Sequence, residues 1–220
     1  MENKKRIAVV LSGCGVYDGS EIHEATLTLY AIDKNGAEYQ IFAPNIEQHD
    51  VVNHLTGKNM NETRNVLVEA ARIARGNILA LDKFNAKNFD AIIFPGGLGA
   101  AKNLSSYAID GVNCDVNDEV ADAIKSMAKL KKPIGALCIS PVIIAKVLAN
   151  VELTIGNDSN TANDVSQMGA THKNTANGEV TVDIKNKIVT NPCYMLNASI
   201  AQIGEGADNV VKSILELIDN

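Results

Sequence analysis

Cys138 is the residue of this 220-residue chain whose neighbours in sequence best suit chemistry. It follows an apolar run, Pro133–Leu137, that suits a buried strand, and it precedes a helical segment that starts near Pro141. A side chain on such a strand-to-helix turn projects from the sheet edge, as in a nucleophile elbow. The helix N-terminus favours a thiolate, so we expect the pKa of Cys138 to lie below its usual value. The alternative is an inert core cysteine, because free cysteines are often buried.

Two further features could complete a thiol site. Gly96 and Gly97 follow another apolar run, and successive N–H groups in such a turn can bind an oxyanion, although a plain tight turn is the simpler interpretation. Glu21 and Glu24 lie three residues apart near the start of a predicted helix and would share one face. Either one of them accepts and returns the proton of the thiol, or both only complement the helix dipole.

The remaining candidates carry weaker signals. Cys14 ends the first predicted strand, where it is either a packing residue or a second thiol that modulates the elbow cysteine. His172 is a candidate pocket residue, whereas we expect His23 at the surface. We expect Cys114 and Cys193 to be structural.

The candidate residues are positioned by strands and helices that alternate along the chain. The predicted strands are 7–11, 38–43, 78–81, 89–94 and 133–137, the helices begin near 20, 62, 117, 141 and 197, and a β-hairpin spans 180–190. This alternation predicts one α/β domain, residues 1–220, with a doubly wound, mostly parallel sheet and helices on both faces. The carboxyl ends of parallel strands meet at one edge, so the turns at 12–15, 95–99 and 137–141 should converge there.

Composition excludes several classes of protein. The net charge of −6, the absence of Trp and the aromatic content of 4% argue against a nucleic-acid partner. No apolar run approaches the length of about 18 residues that a membrane span needs, and the run at 7–11 is too short for a signal peptide, so we expect a cytoplasmic protein.

Known cofactor motifs are also absent from the sequence. The four cysteines show neither disulfide nor zinc-ligand spacing. The glycines at 13–19 are spaced one residue too widely for a dinucleotide fingerprint, and there is no P-loop. We therefore expect no metal and no organic cofactor.

Several motifs together resemble the ThiJ/PfpI superfamily, and more closely its ElbB-type branch, which is linked to isoprenoid biosynthesis and described as a glyoxalase. They are Ser-Gly-Cys-Gly and Asp-Gly-Ser-Glu-Ile-His-Glu within 12–24, Phe-Pro-Gly-Gly-Leu-Gly-Ala-Ala-Lys-Asn-Leu at 94–104 and Gly-Ala-Leu-Cys-Ile-Ser-Pro at 135–141. The segments 153–156, 168–172 and 188–196 resemble the same branch. The resemblance thus covers nearly the whole chain.

The resemblance implies a flavodoxin-like domain related to class I glutamine amidotransferases, usually a homodimer. Cys138 matches the elbow cysteine of the superfamily. Glu24 matches the partner glutamate of the superfamily better than Glu21 does. The superfamily glutamate lies twelve residues before the glycine that ends the first helix, and Glu24 lies twelve residues before Gly36. The oxyanion donors would be the N–H groups of Gly97 and Ile139.

The activity that the resemblance implies is conversion of small dicarbonyls to hydroxy acids without glutathione, with repair of glycation adducts as an associated activity. Ala136 and Ser140 replace the glycines of the glutaminase elbow, no His–Glu pair follows, and Ile139 stands where related peptidases carry histidine. These departures argue against glutamine hydrolysis and peptidase activity. Two alternatives remain: a cysteine-based redox or stress sensor, and a pseudo-amidotransferase that serves as a partner protein.

Overall fold

The computed structural model describes residues 4–219. The strands are β1 (Arg6–Val10), β2 (Glu38–Ala43), β3 (Val52–Asn53), β4 (Lys58–Asn59), β5 (Ile78–Ala80), β6 (Ala91–Phe94), β7 (Ile134–Leu137), β8 (Glu152–Leu153), β9 (Thr171–His172), β10 (Thr181–Asp183) and β11 (Ile188–Asn191). Seven of them form one sheet in the order β10-β11-β7-β6-β1-β2-β5. All neighbours in it are parallel except β10 and β11.

The helices cover both faces of this sheet. They are α1 (Ile22–Lys34), α2 (Val66–Ile73), α3 (Leu98–Lys102), α4 (Tyr107–Asp110), α5 (Asp118–Lys129), α6 (Pro141–Leu148), α7 (Ser159–Gln167) and α8 (Ile200–Asp219). Helix α1 packs on α8, and α5 packs on α6. The prediction of a doubly wound α/β fold with a hairpin near 180–190 is therefore confirmed.

The central strands explain why the sequence folds this way. Every residue of β6 and β7 is buried, which matches their apolar composition on both faces. Gly135 lies in β7 under helix α8, where a Cβ atom would stand 2.7 Å from Ile214 Cδ1. The close packing of β7 and α8 fixes the strand that carries the elbow.

The short elements lie outside the predictions made from the sequence. The two-stranded sheets β3–β4 and β8–β9 and the helices α3, α4 and α7 have no predicted counterpart. Strands of two residues show no periodicity that a sequence pattern could reveal. The second helix begins at Val66 rather than near 62, because the side chain of Asn65 accepts a hydrogen bond from Val68 N.

Candidate active site

The loop between β7 and α6 forms a strained elbow at Cys138. Its φ angle is +59°, in the left-handed region that residues other than glycine rarely adopt. The amide of Cys138 donates to the carbonyl oxygen of Asn191 at 2.9 Å, and the hydroxyl of Ser140 donates to that of Pro95 at 2.8 Å. Pro141 occupies the first turn of α6, as predicted. These contacts hold the elbow between two neighbouring strands.

Glu24 faces Cys138 from helix α1. Its side chain is fully buried, and the thiol of Cys138 donates a hydrogen bond to it. The carboxyl oxygens accept two more hydrogen bonds, from Gly96 N to Oε2 at 3.0 Å and from Tyr194 N to Oε1 at 3.2 Å. The structure thus brings together the cysteine and the glutamate that the resemblance pairs.

Burial dominates the electrostatics of this pair. It raises the pKa of Glu24 to about 8, even though the N–H group of Tyr194 opposes the shift. Burial and the negative charge of Glu24 raise the pKa of the Cys138 thiol well above its usual value. The expectation of a lowered thiol pKa is therefore wrong, because loss of hydration and the facing carboxylate outweigh the helix N-terminus and the donated N–H bonds.

The glycine turn after β6 completes the site. The backbone N–H groups of Gly97 and Ile139 donate hydrogen bonds to the sulfur of Cys138, which are the two donors that the resemblance implies for an oxyanion. A Cβ atom on Gly96 would lie 2.3 Å from Cys138 Cβ and 2.5 Å from Glu24 Oε2. Only glycine fits at this position, because any Cβ atom would overlap both side chains.

Glu21 takes a different position from the one predicted, whereas His23 lies at the surface as predicted. Glu21 does not share a helical face with Glu24: it is the N-cap of α1, and its Oε2 accepts from Glu24 N at 2.7 Å. The side chain of His23 is half exposed, but its Nδ1 lies 2.9 Å from the hydroxyl of Tyr194 and 3.9 Å from Glu21 Oε1. His23 therefore contacts two residues that neighbour Glu24, from a surface position.

Two candidate residues lie apart from this pair. The charges that act on the Cys14 thiol come from Glu69, Arg72 and Asp18, and burial raises its pKa. His172 lies in β9, where its Nε2 accepts from Ile155 N at 3.3 Å and burial lowers its pKa. Among residues 4–219, no described hydrogen bond or ion pair joins either side chain to the site.

Three residues near the site were not predicted to belong to it. Tyr194 holds a carboxyl oxygen of Glu24 through its main chain. Burial, followed by the charges of Glu24 and Cys138, raises the pKa of the Cys193 thiol, which the sequence analysis expects to be structural. Asn191 ends β11 beside the elbow. Their position directly after a strand that adjoins β7 is the signal that could have revealed them.

The site is almost completely buried, with Cys138 8% exposed and Glu24 fully buried. Four of the surface clefts have volumes of about 560, 370, 500 and 360 Å³, and neither residue lines these four. Within the described part of the chain, no cluster of three His, Cys, Asp or Glu side chains is placed to hold a metal ion. No helix in the same range is long and apolar enough to cross a bilayer.

Known proteins resemble the chain over most of its length. It is 48% identical to the rat protein named ES1 protein homolog, mitochondrial, over 97% of this chain and 84% of that protein. It is also 48% identical to the human protein named glutamine amidotransferase-like class 1 domain-containing protein 3, mitochondrial, over 96% and 83% of the two chains. No family model matches the chain.

Solved structures show the same fold. A structure described as an isoprenoid biosynthesis protein with an amidotransferase-like domain, from Ehrlichia chaffeensis, superposes with a TM-score of 0.89 at 36% identity, over 96% of this chain and 99% of that one. A structure described as glyoxalase III, from Candida albicans, superposes with a TM-score of 0.61 at 13% identity, over 97% of each chain. At that identity the second likeness concerns the fold alone.

The prediction of a cytoplasmic protein is wrong. The curated relatives from rat and human, and a third from zebrafish, are all named as mitochondrial. The prediction rested on the lack of a recognisable signal peptide and of a membrane-spanning run, and neither absence identifies the compartment.

Proposed function

Because the chain belongs to the ElbB-type branch of the ThiJ/PfpI superfamily, with the ES1 and glutamine amidotransferase-like class 1 proteins, we propose that it converts small dicarbonyls such as glyoxal and methylglyoxal to hydroxy acids. The observation that carries the proposal is the buried hydrogen bond between Cys138 and Glu24, beside two backbone N–H donors. The fold shared with a glyoxalase III agrees with this activity.

The reaction begins when the sulfur of Cys138 attacks the aldehyde carbon and Glu24 accepts the thiol proton. The developing oxyanion lies near the N–H groups of Gly97 and Ile139, takes a proton from Glu24 and becomes the hydroxyl of a hemithioacetal. Glu24, again a carboxylate, removes the proton from the former aldehyde carbon, and the neighbouring carbonyl oxygen takes the electron pair as an enediolate. The proton of the hemithioacetal hydroxyl passes to that oxygen, and Glu24 delivers its own proton to the adjacent carbon, which leaves a carbonyl group next to sulfur and a hydroxyl group on its neighbour. The resulting thioester is hydrolysed by water, which releases the hydroxy acid and the thiol.

This sequence of steps balances without an oxidant, because one carbon of the dicarbonyl is oxidised while its neighbour is reduced. It requires no glutathione, metal or organic cofactor. The contact of Gly96 with both reactive side chains leaves little room beside the sulfur, which favours small substrates. Repair of glycation adducts is a separate activity to be assayed with a glycated peptide.

The decisive experiment measures glyoxal and methylglyoxal loss and hydroxy acid formation by the wild-type protein, Cys138→Ala and Glu24→Gln. We expect turnover in the wild type and at least a hundredfold loss in each variant. Full activity in either variant removes the role of that residue, and an inactive wild type excludes these substrates. We also propose a homodimer, which light scattering of the purified protein tests.

A second candidate function is a cysteine-based redox or stress sensor, in which the carboxyl group of Glu24 beside Cys138 would hydrogen-bond the oxidised sulfur. A hydroperoxide would oxidise the thiol stepwise to sulfenic and sulfinic acid. Intact-mass measurements under mild peroxide, run beside the turnover assay, separate the two functions. Stoichiometric oxidation of Cys138 without turnover supports the sensor, and co-purification of a second protein would favour the pseudo-amidotransferase.

A further inference from the structure

Asn191 lies at the end of β11, one strand away from the elbow. It pairs in register with Leu137, and its main-chain carbonyl accepts the hydrogen bond from the amide of Cys138 at 2.9 Å. Its side chain is almost completely buried. The main chain of Asn191 therefore fixes the backbone that carries the nucleophile.

The side chain of Asn191 fixes a second feature, the 3₁₀ turn Cys193–Met195. Its Oδ1 accepts from Cys193 N at 2.9 Å and from Cys193 Sγ at 3.1 Å, an Asx-turn that supports a left-handed φ of +42° at Cys193. Its Nδ2 donates to Glu179 O at 2.6 Å. A Cβ atom on Gly206 would stand 2.5 Å from Asn191 Oδ1, so helix α8 packs directly against this side chain.

The 3₁₀ turn Cys193–Met195 also holds the carboxyl group of Glu24. The conformation of Cys193 directs the next N–H group, that of Tyr194, to Glu24 Oε1 at 3.2 Å. The hydroxyl of Tyr194 lies 2.9 Å from His23 Nδ1, which ties the same turn to helix α1. One residue thus contacts the backbone of the nucleophile and, through the turn, the carboxyl group that faces it.

We propose that Asn191 is the positioning residue that couples Cys138 to Glu24. The inference rests on the proposed function, for which it names a residue that touches neither substrate nor reacting atoms. Its main chain contacts the backbone of Cys138, and its side chain acts on Glu24 through the 3₁₀ turn. Loss of the side chain should therefore disturb Glu24 while the hydrogen bond to the Cys138 amide, which uses only the main chain, is retained.

The groups around Glu24 set the sign of the expected change. Glu21 faces it from its own helix, Cys138 from the elbow, and Cys193 with Tyr194 from the 3₁₀ turn. Of these, the Tyr194 N–H group opposes the effect of burial most strongly. When the turn loses its Asn191 contact, this N–H group moves away and the pKa of Glu24 rises further. Thiol chemistry that needs the Glu24 carboxylate then begins at higher pH.

The experiment follows alkylation of Cys138 by iodoacetamide between pH 6 and 10, located by peptide mass mapping, in parallel with kcat and KM for glyoxal. The variants are Asn191→Ala and the conservative Asn191→Ser, whose hydroxyl can form the same turn more weakly. Thr190→Val is the matched control, because Thr190 Oγ1 is a buried acceptor for Thr154 N without a contact to Glu24.

We expect Asn191→Ala to move the midpoint of the alkylation profile up by at least 0.5 pH unit. We also expect kcat to fall about tenfold, with KM within a factor of two. Asn191→Ser should give intermediate values, and Thr190→Val should leave the midpoint unchanged.

An unchanged midpoint in folded Asn191→Ala, or an equal shift in Thr190→Val, overturns the proposal. If Asn191→Ala does not fold, the same criteria apply to Asn191→Ser. A wild type that shows the alkylation profile without glyoxal turnover removes the proposed function alone, since alkylation does not depend on it.

Discussion

The thiol of Cys138 donates a hydrogen bond to the fully buried carboxyl group of Glu24. Burial raises the pKa of both groups, that of Glu24 to about 8. The pair is therefore largely uncharged at neutral pH, with a proton on each side chain. In the proposed mechanism the sulfur needs a carboxylate to take its proton, so the reactivity of Cys138 should depend on the ionisation of Glu24.

The pH dependence of turnover should follow the ionisation of Glu24. We expect kcat/KM for glyoxal to rise about tenfold per pH unit below pH 8 and to level off above it. Initial rates between pH 6 and 9.5, corrected with Cys138→Ala for uncatalysed loss, measure this profile. A rate that is already maximal at pH 6 would show that the carboxylate is not the required form.

The same ionisation should appear in the stability of the protein. The folded-state pKa of Glu24 is raised from 4.5 to about 8, so the associated stability is fully present below pH 4.5 and is lost as pH rises through 8. Relative to Glu24→Gln, the wild type should lose about 2–5 kcal/mol of unfolding free energy between pH 5 and 8.5. Urea unfolding at several pH values measures this difference. A difference that stays constant with pH would contradict the assignment.

Gly96 should tolerate no side chain. In Gly96→Ala the added methyl group would overlap Cys138 and Glu24, so we expect the pair to separate and turnover to fall at least a hundredfold. Gly204→Ala is the matched control, because the nearest atom to its new Cβ is 3.7 Å away and alanine favours a helix. Turnover by folded Gly96→Ala within threefold of the wild type would contradict the close contact.

The sequence predicts the long, periodic elements and the elbow. It does not predict features that depend on contacts between segments far apart in the sequence. Strand β2 and helix α6 have the predicted bounds, because apolar runs and a helix-starting proline are local signals. The role of Tyr194 depends on a main-chain contact to a residue 170 positions earlier, which no local pattern encodes. The thiol pKa of Cys138 was predicted with the wrong sign, since the extent of burial follows from the whole fold.

Asp208 should link the stability of the protein to acid pH. Its carboxylate on α8 lies 2.8 Å from Lys212 Nζ, 3.0 Å from Lys34 Nζ and 2.8 Å from Asn35 Nδ2, so it connects α8 to the end of α1. The hydrogen bond from Lys212 contributes most to lowering its pKa from 3.8 to about 2. The stability that this carboxylate provides is present above pH 3.8 and is lost as pH falls towards 2.

Asp208→Asn should therefore lower the unfolding free energy at pH 7 by about 1–2 kcal/mol, a figure reduced because both lysine side chains are about half exposed. The difference from the wild type should shrink to about half by pH 3, since the carboxyl group is then largely protonated in the unfolded chain, where its pKa is 3.8, but still mostly ionised in the folded protein. Glyoxal turnover at pH 8 should stay within threefold, because α1 is also held by buried contacts such as Ile32 in the core. Urea unfolding of both proteins from pH 7 to pH 3 tests this. A difference that is as large at pH 3 as at pH 7 would mean that packing, rather than charge, makes Asp208 stabilising.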